Sequence, residues 1–80
     1  MPSMTRRWTY RTIATDVEER IERREYPPGT RIPSYKELSL LYGVSVATAQ
    51  RAVRLLRLAG VAIGHQGRGV FVARRRRSAR

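Results

Sequence analysis

The sequence predicts a mainly α-helical domain that ends in a small β-hairpin. Three observations support this prediction. Apolar residues recur at three- and four-residue intervals in three segments, residues typical of helix starts and stops bound those segments, and two β-prone runs near the C-terminus flank a glycine-rich stretch. The chain has 80 residues and no cysteine, which indicates one domain near the lower size limit for an unaided hydrophobic core.

The first predicted helix begins after Thr9, whose hydroxyl can accept a hydrogen bond from a backbone amide of the first turn. Its apolar stripe consists of Tyr10, Ile13, Ala14, Val17 and Ile21. Proline cannot continue a helix, so the segment 26–30, Tyr-Pro-Pro-Gly-Thr, is expected to end it. The Pro-Gly pair in this segment suits a type II turn, and a short extended piece is expected after it.

The second predicted helix is short and begins at a capping box. Ser34 and Glu37 have the spacing at which each side chain accepts a hydrogen bond from the backbone amide of the other residue. The side of this helix expected to be buried carries Leu38, Leu41 and Tyr42. Gly43 is expected to stop it in the left-handed conformation that helix ends favour.

The third predicted helix spans residues 45–59, with Ser45 as its N-cap and Gly60 as its stop. Its inward stripe is apolar and consists of Ala49, Ala52, Val53 and Leu56. Its outward face carries Ala47, Gln50, Arg51, Arg54 and Arg57. A face of glutamine and arginine without any acid is unusual for a helix that needs only solubility, so this face is a candidate binding surface.

The predicted hairpin consists of the runs 61–63 and 70–72, joined by the loop 64–69, whose three glycines permit a tight reversal. The order of the predicted elements is that of a winged helix-turn-helix, with three helices and a two- or three-stranded wing. This order is a helix, a short helix, a glycine-containing turn, a third helix and a hairpin. In such a domain the third helix enters the DNA major groove as the recognition helix, and the wing reaches the adjacent groove.

The charge distribution favours a polyanionic partner. The formal net charge is +11, all six acidic residues lie between positions 16 and 37, and every charged residue after Glu37 is an arginine. A solvated basic surface and an anionic membrane are the alternatives, but a membrane would favour a basic amphipathic helix with bulky apolar residues opposite. No apolar run approaches the length of a membrane span or resembles a signal peptide, so a cytoplasmic location is expected.

Other classes of function are disfavoured. His65 is the only histidine and there is no cysteine, so no nucleophile-base pair, metal site or cofactor site is expected, and the chain is not expected to be an enzyme. RNA binding is an alternative, although the hairpin lacks the exposed aromatic residues expected for base stacking. A winged helix that binds a protein partner is another, but its outward face should be apolar or mixed in charge.

Several segments of the chain resemble the DNA-binding domain of GntR-type transcriptional regulators. The matching residues are Pro28 to Ser34, Lys36-Glu37-Leu38, Gly43-Val44-Ser45, Thr48, Ala52, Leu56, and Gly67 to Val72, the last of these similar to the "G-x-G-x-FV" wing of the family. The resemblance covers Tyr10 to Val72. It implies a bacterial transcriptional regulator at the nucleoid, a repressor or an activator with repression the expected role. Such a regulator binds double-stranded operator DNA with an inverted repeat as a homodimer.

The resemblance places the DNA contacts at the start of the second helix, on the recognition helix and at the wing tip. With Arg54 added from the outward face, the predicted contact residues are Ser34, Tyr35, Lys36, Ser45, Ala47, Thr48, Gln50, Arg51, Arg54, His65, Gln66, Gly67 and Arg68. Many family members carry arginine where this chain has Val46 and Gln50, so guanine readout from those positions is lost. Gln50 suits the N6/N7 edge of adenine instead.

The predicted organisation is a basic N-terminal arm at 1–8, the DNA-binding domain at 9–73 and a disordered polybasic tail at 74–80. The tail is expected to add nonspecific, salt-sensitive affinity for phosphates. Members of the family usually continue into an effector-binding and dimerising domain. The chain is therefore expected to be a one-domain member or a piece of a longer protein, and no small-molecule effector site is expected within it.

Overall fold

The computed structural model describes residues 7–74. It contains α1 (Tyr10–Glu22), α2 (Tyr35–Tyr42), α3 (Val46–Leu58), β1 (Ala62–His65) and β2 (Gly69–Val72). This is the winged helix-turn-helix arrangement that the sequence predicts. Most of the predicted arm at 1–8 and of the predicted tail at 74–80 lies outside the described residues, so the domain boundaries stay predictions. Within the described part, no helix has the length and apolar character needed to cross a lipid bilayer.

Each helix begins at a hydroxyl-bearing N-cap, as predicted. Thr9, Ser34 and Ser45 each accept a hydrogen bond from the amide three residues later, at 3.2, 3.1 and 3.1 Å. The predicted capping box of α2 is confirmed, because the Ser34 amide donates to a Glu37 carboxylate oxygen at 2.8 Å. These bonds satisfy amides that a helix start leaves without intrahelical partners.

The end of α1 comes earlier than the proline segment that was expected to stop it. Arg24 adopts a left-handed conformation (φ +67°), its amide donates to the Ile21 carbonyl, and the Glu25 amide donates to the Arg20 carbonyl at 2.8 Å. These two bonds form a Schellman motif without its usual glycine. The Arg20 guanidinium also binds the Glu25 carboxylate at 2.7 Å, and this ion pair holds the reversal closed.

The core lies where α1 and α2 both pack on α3. Its largest fully buried side chains are Ile13, Val17, Ile32, Leu38, Val53 and Leu56. One core prediction for α2 is wrong: Leu41 is 52% exposed, whereas Ser39 is buried. At about 100° per residue, Ser39 and Tyr42 lie to one side of Leu38, and Leu41 lies about 60° to the other side. The buried face of α2 is therefore rotated toward Ser39.

A polar network ties α1 to α2 at the edge of this core. The Tyr42 hydroxyl donates to an Asp16 carboxylate oxygen at 2.6 Å, and Arg20 donates to the same oxygen at 3.0 Å. Burial, and then the bond to Asp16, raise the pKa of Tyr42. Burial also acts to raise the pKa of Asp16, but the bonds from Tyr42 and Arg20 outweigh it and lower that pKa. The Trp8 ring packs edge-on against the Tyr42 ring, with centroids 4.8 Å apart.

The hairpin has longer strands and a shorter loop than the sequence suggests. Pairing runs from Ala62 with Val72 to His65 with Gly69, so only residues 66–68 form the tip. Backbone pairing does not require side chains, and it therefore continues through glycines that the sequence assigned to the loop. The tip closes with a bond from the Arg68 amide to the His65 carbonyl at 2.8 Å, and Gly67 supplies the positive φ of +76°.

A third segment pairs with β2 from its other side. Arg31 forms an isolated antiparallel bridge with Phe71, flanked by bonds from the Ile32 amide to the Val70 carbonyl and from the Val72 amide to the Thr30 carbonyl. The predicted extended piece before α2 thus lies along the outer edge of the wing. The wing has two strands plus this bridge, and the bridge fixes the start of α2 relative to the hairpin.

Candidate DNA interface

The exposed face of α3 forms a basic groove. The residues that line it are Tyr35, Ala47, Gln50, Arg51, Arg54 and Arg57. Five of these six residues are predicted contact residues, and all but the half-buried Tyr35 are exposed. Among residues 7–74, no carboxylate lines the groove. Burial of the opposite stripe of α3 against α1 and α2 orients this face outward.

Arg51 lies at the side of the groove that faces α1. Its guanidinium lies over the Tyr10 ring, 5.5 Å from the centroid, and Arg11 approaches the same ring at 5.7 Å. The side-chain hydrogen bond from Arg11, followed by the positive charges of Arg11 and Arg51, lowers the pKa of Tyr10. A ring face attracts a cation through its quadrupole, so Tyr10 restrains the position of Arg51. The guanidinium of Arg54 has no such contact among the described residues.

The helix starts hold a second group of predicted residues, whose hydroxyls serve as caps. Besides the cap bond, the Ser45 hydroxyl lies 3.0 Å from the Thr48 hydroxyl. The Glu37 carboxylate is turned back onto Ser34, and this bond to the Ser34 amide lowers the pKa of Glu37. Lys36 is exposed beside it. Lys36, Ser45 and Thr48 all lie outside the groove.

The wing carries the remaining predicted residues, and all four are exposed: His65, Gln66, Gly67 and Arg68. The His65 ring packs edge-on against the Phe71 ring, with centroids 5.1 Å apart. His65 therefore has a packing role in the hairpin as well as an exposed position. Arg68 projects from the tip, where its amide closes the turn.

A cleft of about 690 Å³ separates the wing from the start of α2. Its walls bring Ser34 and Tyr35 together with the four predicted wing residues. Two further arginines, which the predicted contact set omitted, also line the cleft: Arg31 and Arg57. Arg57 continues the outward face of α3 three residues after Arg54, and this spacing could have identified it. Arg31 reaches the cleft through its nonlocal bridge to β2, for which the sequence contains no signal.

The groove and the cleft form one acid-poor surface. Within residues 7–74, Arg20 on α1 forms two ion pairs, with Asp16 and Glu25. The guanidinium groups of Arg31, Arg54, Arg57 and Arg68 have no carboxylate within 4 Å in that part of the chain. No ion pair there neutralises these charges, although Arg31 attracts the Glu37 carboxylate through space. Such a cluster of positive charge is the electrostatic pattern of a nucleic-acid interface.

A tight helix-turn-helix, a basic outward face on its second helix and a basic wing together define the winged helix-turn-helix class. Residues 9–72 match the family described as "Bacterial regulatory proteins, gntR family". The chain belongs to this family, and the resemblance predicted from its motifs is confirmed.

Relatives of known sequence are regulators of the same type. The chain is 38% identical over 67 residues to the HTH-type transcriptional regulator YjiR of Escherichia coli (strain K12), an overlap that covers 84% of this chain and 14% of YjiR. It is 36% identical over 67 residues to the mannosyl-D-glycerate transport/metabolism system repressor MngR of the same organism. This overlap covers 84% of this chain and 28% of MngR. The chain thus spans a minor part of the length of these two relatives.

Solved structures share the fold. The AraR DBD in complex with operator ORR3 has a TM-score of 0.78 and 29% identity, over 91% of this chain and 88% of that one. The possible transcriptional regulator YydK from Bacillus subtilis has a TM-score of 0.76 and 30% identity, over 86% of this chain and 30% of that one. Neither comparison tests the individual contact residues, which stay predictions.

Proposed function

We propose that this chain binds double-stranded DNA in a sequence-specific manner, as the DNA-binding domain of a bacterial transcriptional regulator. The observation that carries this proposal is the continuous acid-poor surface formed by the groove on α3 and the cleft beside the wing. Family membership and the likeness to the AraR DBD with its operator support it.

In this proposal α3 lies in the major groove and the wing tip lies in the adjacent groove. Gln50 and Arg54 are the base-reading candidates, since both are exposed and line the groove on α3. Gln50 can pair with the N6/N7 edge of adenine, and arginine can pair with the O6/N7 edge of guanine. Ser34 and Lys36 meet phosphates at the groove edge, where the positive end of α2 adds to the attraction.

We further propose that the chain acts as a repressor, in the bacterial cytoplasm, on an inverted-repeat operator bound by two copies. MngR, a relative of the same family, is a repressor. A copy bound to one half-site gains affinity when a second copy binds the other half-site. The inverted repeat of the operator then mirrors the twofold symmetry of the two bound copies. No catalytic step is assigned to the chain, because its family consists of regulatory proteins.

Selection of bound sequences from a random duplex pool tests the proposed function. We expect enrichment of an inverted repeat, and an affinity for the selected duplex at least about 10³-fold higher than for a scrambled duplex at physiological salt. The matched control is an RNA duplex of the selected sequence, which should bind no better than the scrambled DNA. Equal affinity for all three nucleic acids would contradict the proposal.

A further inference from the structure

Gly64 occupies a position where backbone geometry does not demand glycine. It lies within β1, its φ is not positive, and its backbone pairs with Val70. Glycine weakens a strand interior, and its presence there often marks a close approach by another group. The presence of glycine at position 64 is therefore explained by a group outside β1 and not by the geometry of the strand.

The group that approaches Gly64 is the guanidinium of Arg57. A β-carbon at residue 64 would lie 3.1 Å from the Arg57 guanidinium carbon and 3.2–3.3 Å from two of its nitrogens. The Arg57 side chain thus leaves α3 and lies flat against the bare backbone of β1. Gly64 provides the space for this placement, and the placement directs a positive charge into the cleft between the wing and α2.

Arg31 lines the same cleft and is placed in a similar way. Its Cδ atom lies 3.1 Å from the position that a β-carbon at Gly69 would occupy. Neither guanidinium forms a hydrogen bond or an ion pair within residues 7–74. Arg31 attracts the Glu37 carboxylate through space, whereas the charge of Arg57 is available to an anion in the cleft.

The location of the cleft identifies that anion. If α3 occupies the major groove and the wing occupies the adjacent groove, the sugar-phosphate backbone that separates the two grooves must pass between them. The cleft lies along the wing, between it and the start of α2, and Arg57 of α3 lines it as well, so it adjoins this path. A backbone phosphate is therefore the anion that would meet Arg57 and Arg31 there.

We propose that Arg57, held against Gly64, binds a DNA backbone phosphate in the cleft, with Arg31 contributing from the opposite wall. The inference rests on the proposed function and adds a phosphate site to it. Because phosphates carry no sequence information, this site strengthens binding to every duplex and fixes the position of the wing relative to α3.

Arg57→Gln tests the site, with Arg23→Gln as the control that removes the same charge from the exposed end of α1. Binding is measured by fluorescence anisotropy on the selected and the scrambled duplex, over a salt series of about 50 to 200 mM. We expect Arg57→Gln to weaken both complexes about tenfold and to reduce the salt slope by about one unit. Arg23→Gln should leave the slope at the wild-type value.

Gly64→Val tests the placement without changing the charge. Valine favours a strand, so the hairpin should remain folded, but its side chain would displace the Arg57 guanidinium. We expect Gly64→Val alone to weaken binding and to have no further effect in the Arg57→Gln background. Independent, additive losses would show that Gly64 does not act through Arg57 and would overturn the inference.

Two results separate this inference from the proposed function. If the wild-type chain prefers no duplex, the proposed function fails. If the preference is present but Arg57→Gln behaves like Arg23→Gln, only the phosphate site fails. A loss confined to the selected duplex would also overturn the site, because it would make Arg57 a base-reading residue.

Discussion

At the scale of single residues, the arginines of α3 have different surroundings although they share one face. Arg51 lies over the Tyr10 ring, whereas the guanidinium of Arg54 lies in the groove without a partner among residues 7–74. An arginine held on a ring is preorganised but less free to reorient toward a base. This difference leads to separate predictions for the two residues.

Arg54→Ala should weaken binding to the selected duplex at least tenfold and leave the free energy of unfolding within about 0.5 kcal/mol of the wild-type value. Anisotropy and chemical denaturation measure the two effects. Arg51→Ala, measured alongside, should also weaken binding and should lower stability slightly more than Arg54→Ala, since it removes the contact with Tyr10. Unchanged affinity in both variants would refute the placement of α3 in the major groove.

Tyr42→Phe addresses the network between α1 and α2. Loss of the hydroxyl removes the 2.6 Å bond to Asp16 and should cost about 1–2 kcal/mol at neutral pH. The fold lowers the pKa of Asp16, so the stability that Asp16 contributes is present above its ordinary pKa and is lost as the pH falls through the lowered value. The deficit of Tyr42→Phe should therefore shrink below about pH 4, in denaturation curves recorded from pH 7 to pH 3. A deficit that does not change with pH would show that Asp16 is not the relevant partner.

At the scale of elements, the sequence predicts what local chemistry determines. All three N-caps and the capping box of α2 were predictable, because a hydroxyl and its amide partner lie three residues apart. The end of α1 was not, since arginine replaces the usual glycine at Arg24 and an ion pair stabilises the reversal. The exposure of Leu41 and the position of Arg31 depend on how elements pack, which a one-dimensional pattern does not contain.

Substitutions at Ser34 can separate the cap of α2 from its contact with DNA. Ser34→Ala should lower stability by about 1 kcal/mol, whereas Ser34→Asp and Ser34→Asn should preserve it, since both residues are good caps. Ser34→Asp places a negative charge where a phosphate is expected and should weaken binding several-fold, whereas Ser34→Asn should not. Thermal denaturation and anisotropy on the selected duplex measure both effects. Equal affinity of the Asp and Asn variants would mean that Ser34 serves the helix alone.

At the scale of the whole molecule, the acidic residues are confined to one part of the structure. Five of the six acidic residues belong to α1 or the turn that ends it, and the sixth, Glu37, is bonded to the start of α2. The groove on α3 and the cleft beside the wing contain arginines without acids. This distribution lets the arginines of the groove and the cleft act together on one surface, which favours fast, salt-dependent association with a polyanion.

The arginines near the C-terminus provide a test of how specificity is distributed over the molecule. A chain that ends at Arg74 keeps every described element, including the packing of the Arg74 side chain on Gly29, and loses four arginines. Each arginine that neutralises a phosphate contributes about 0.9 to the salt slope, so the slope should fall by up to about 3 to 4 units. The ratio of affinities for the selected and scrambled duplexes should stay the same, because base readout is assigned to α3. A truncated chain that binds both duplexes equally would instead place sequence recognition in residues 75–80, and α3 would then serve to position the chain on DNA.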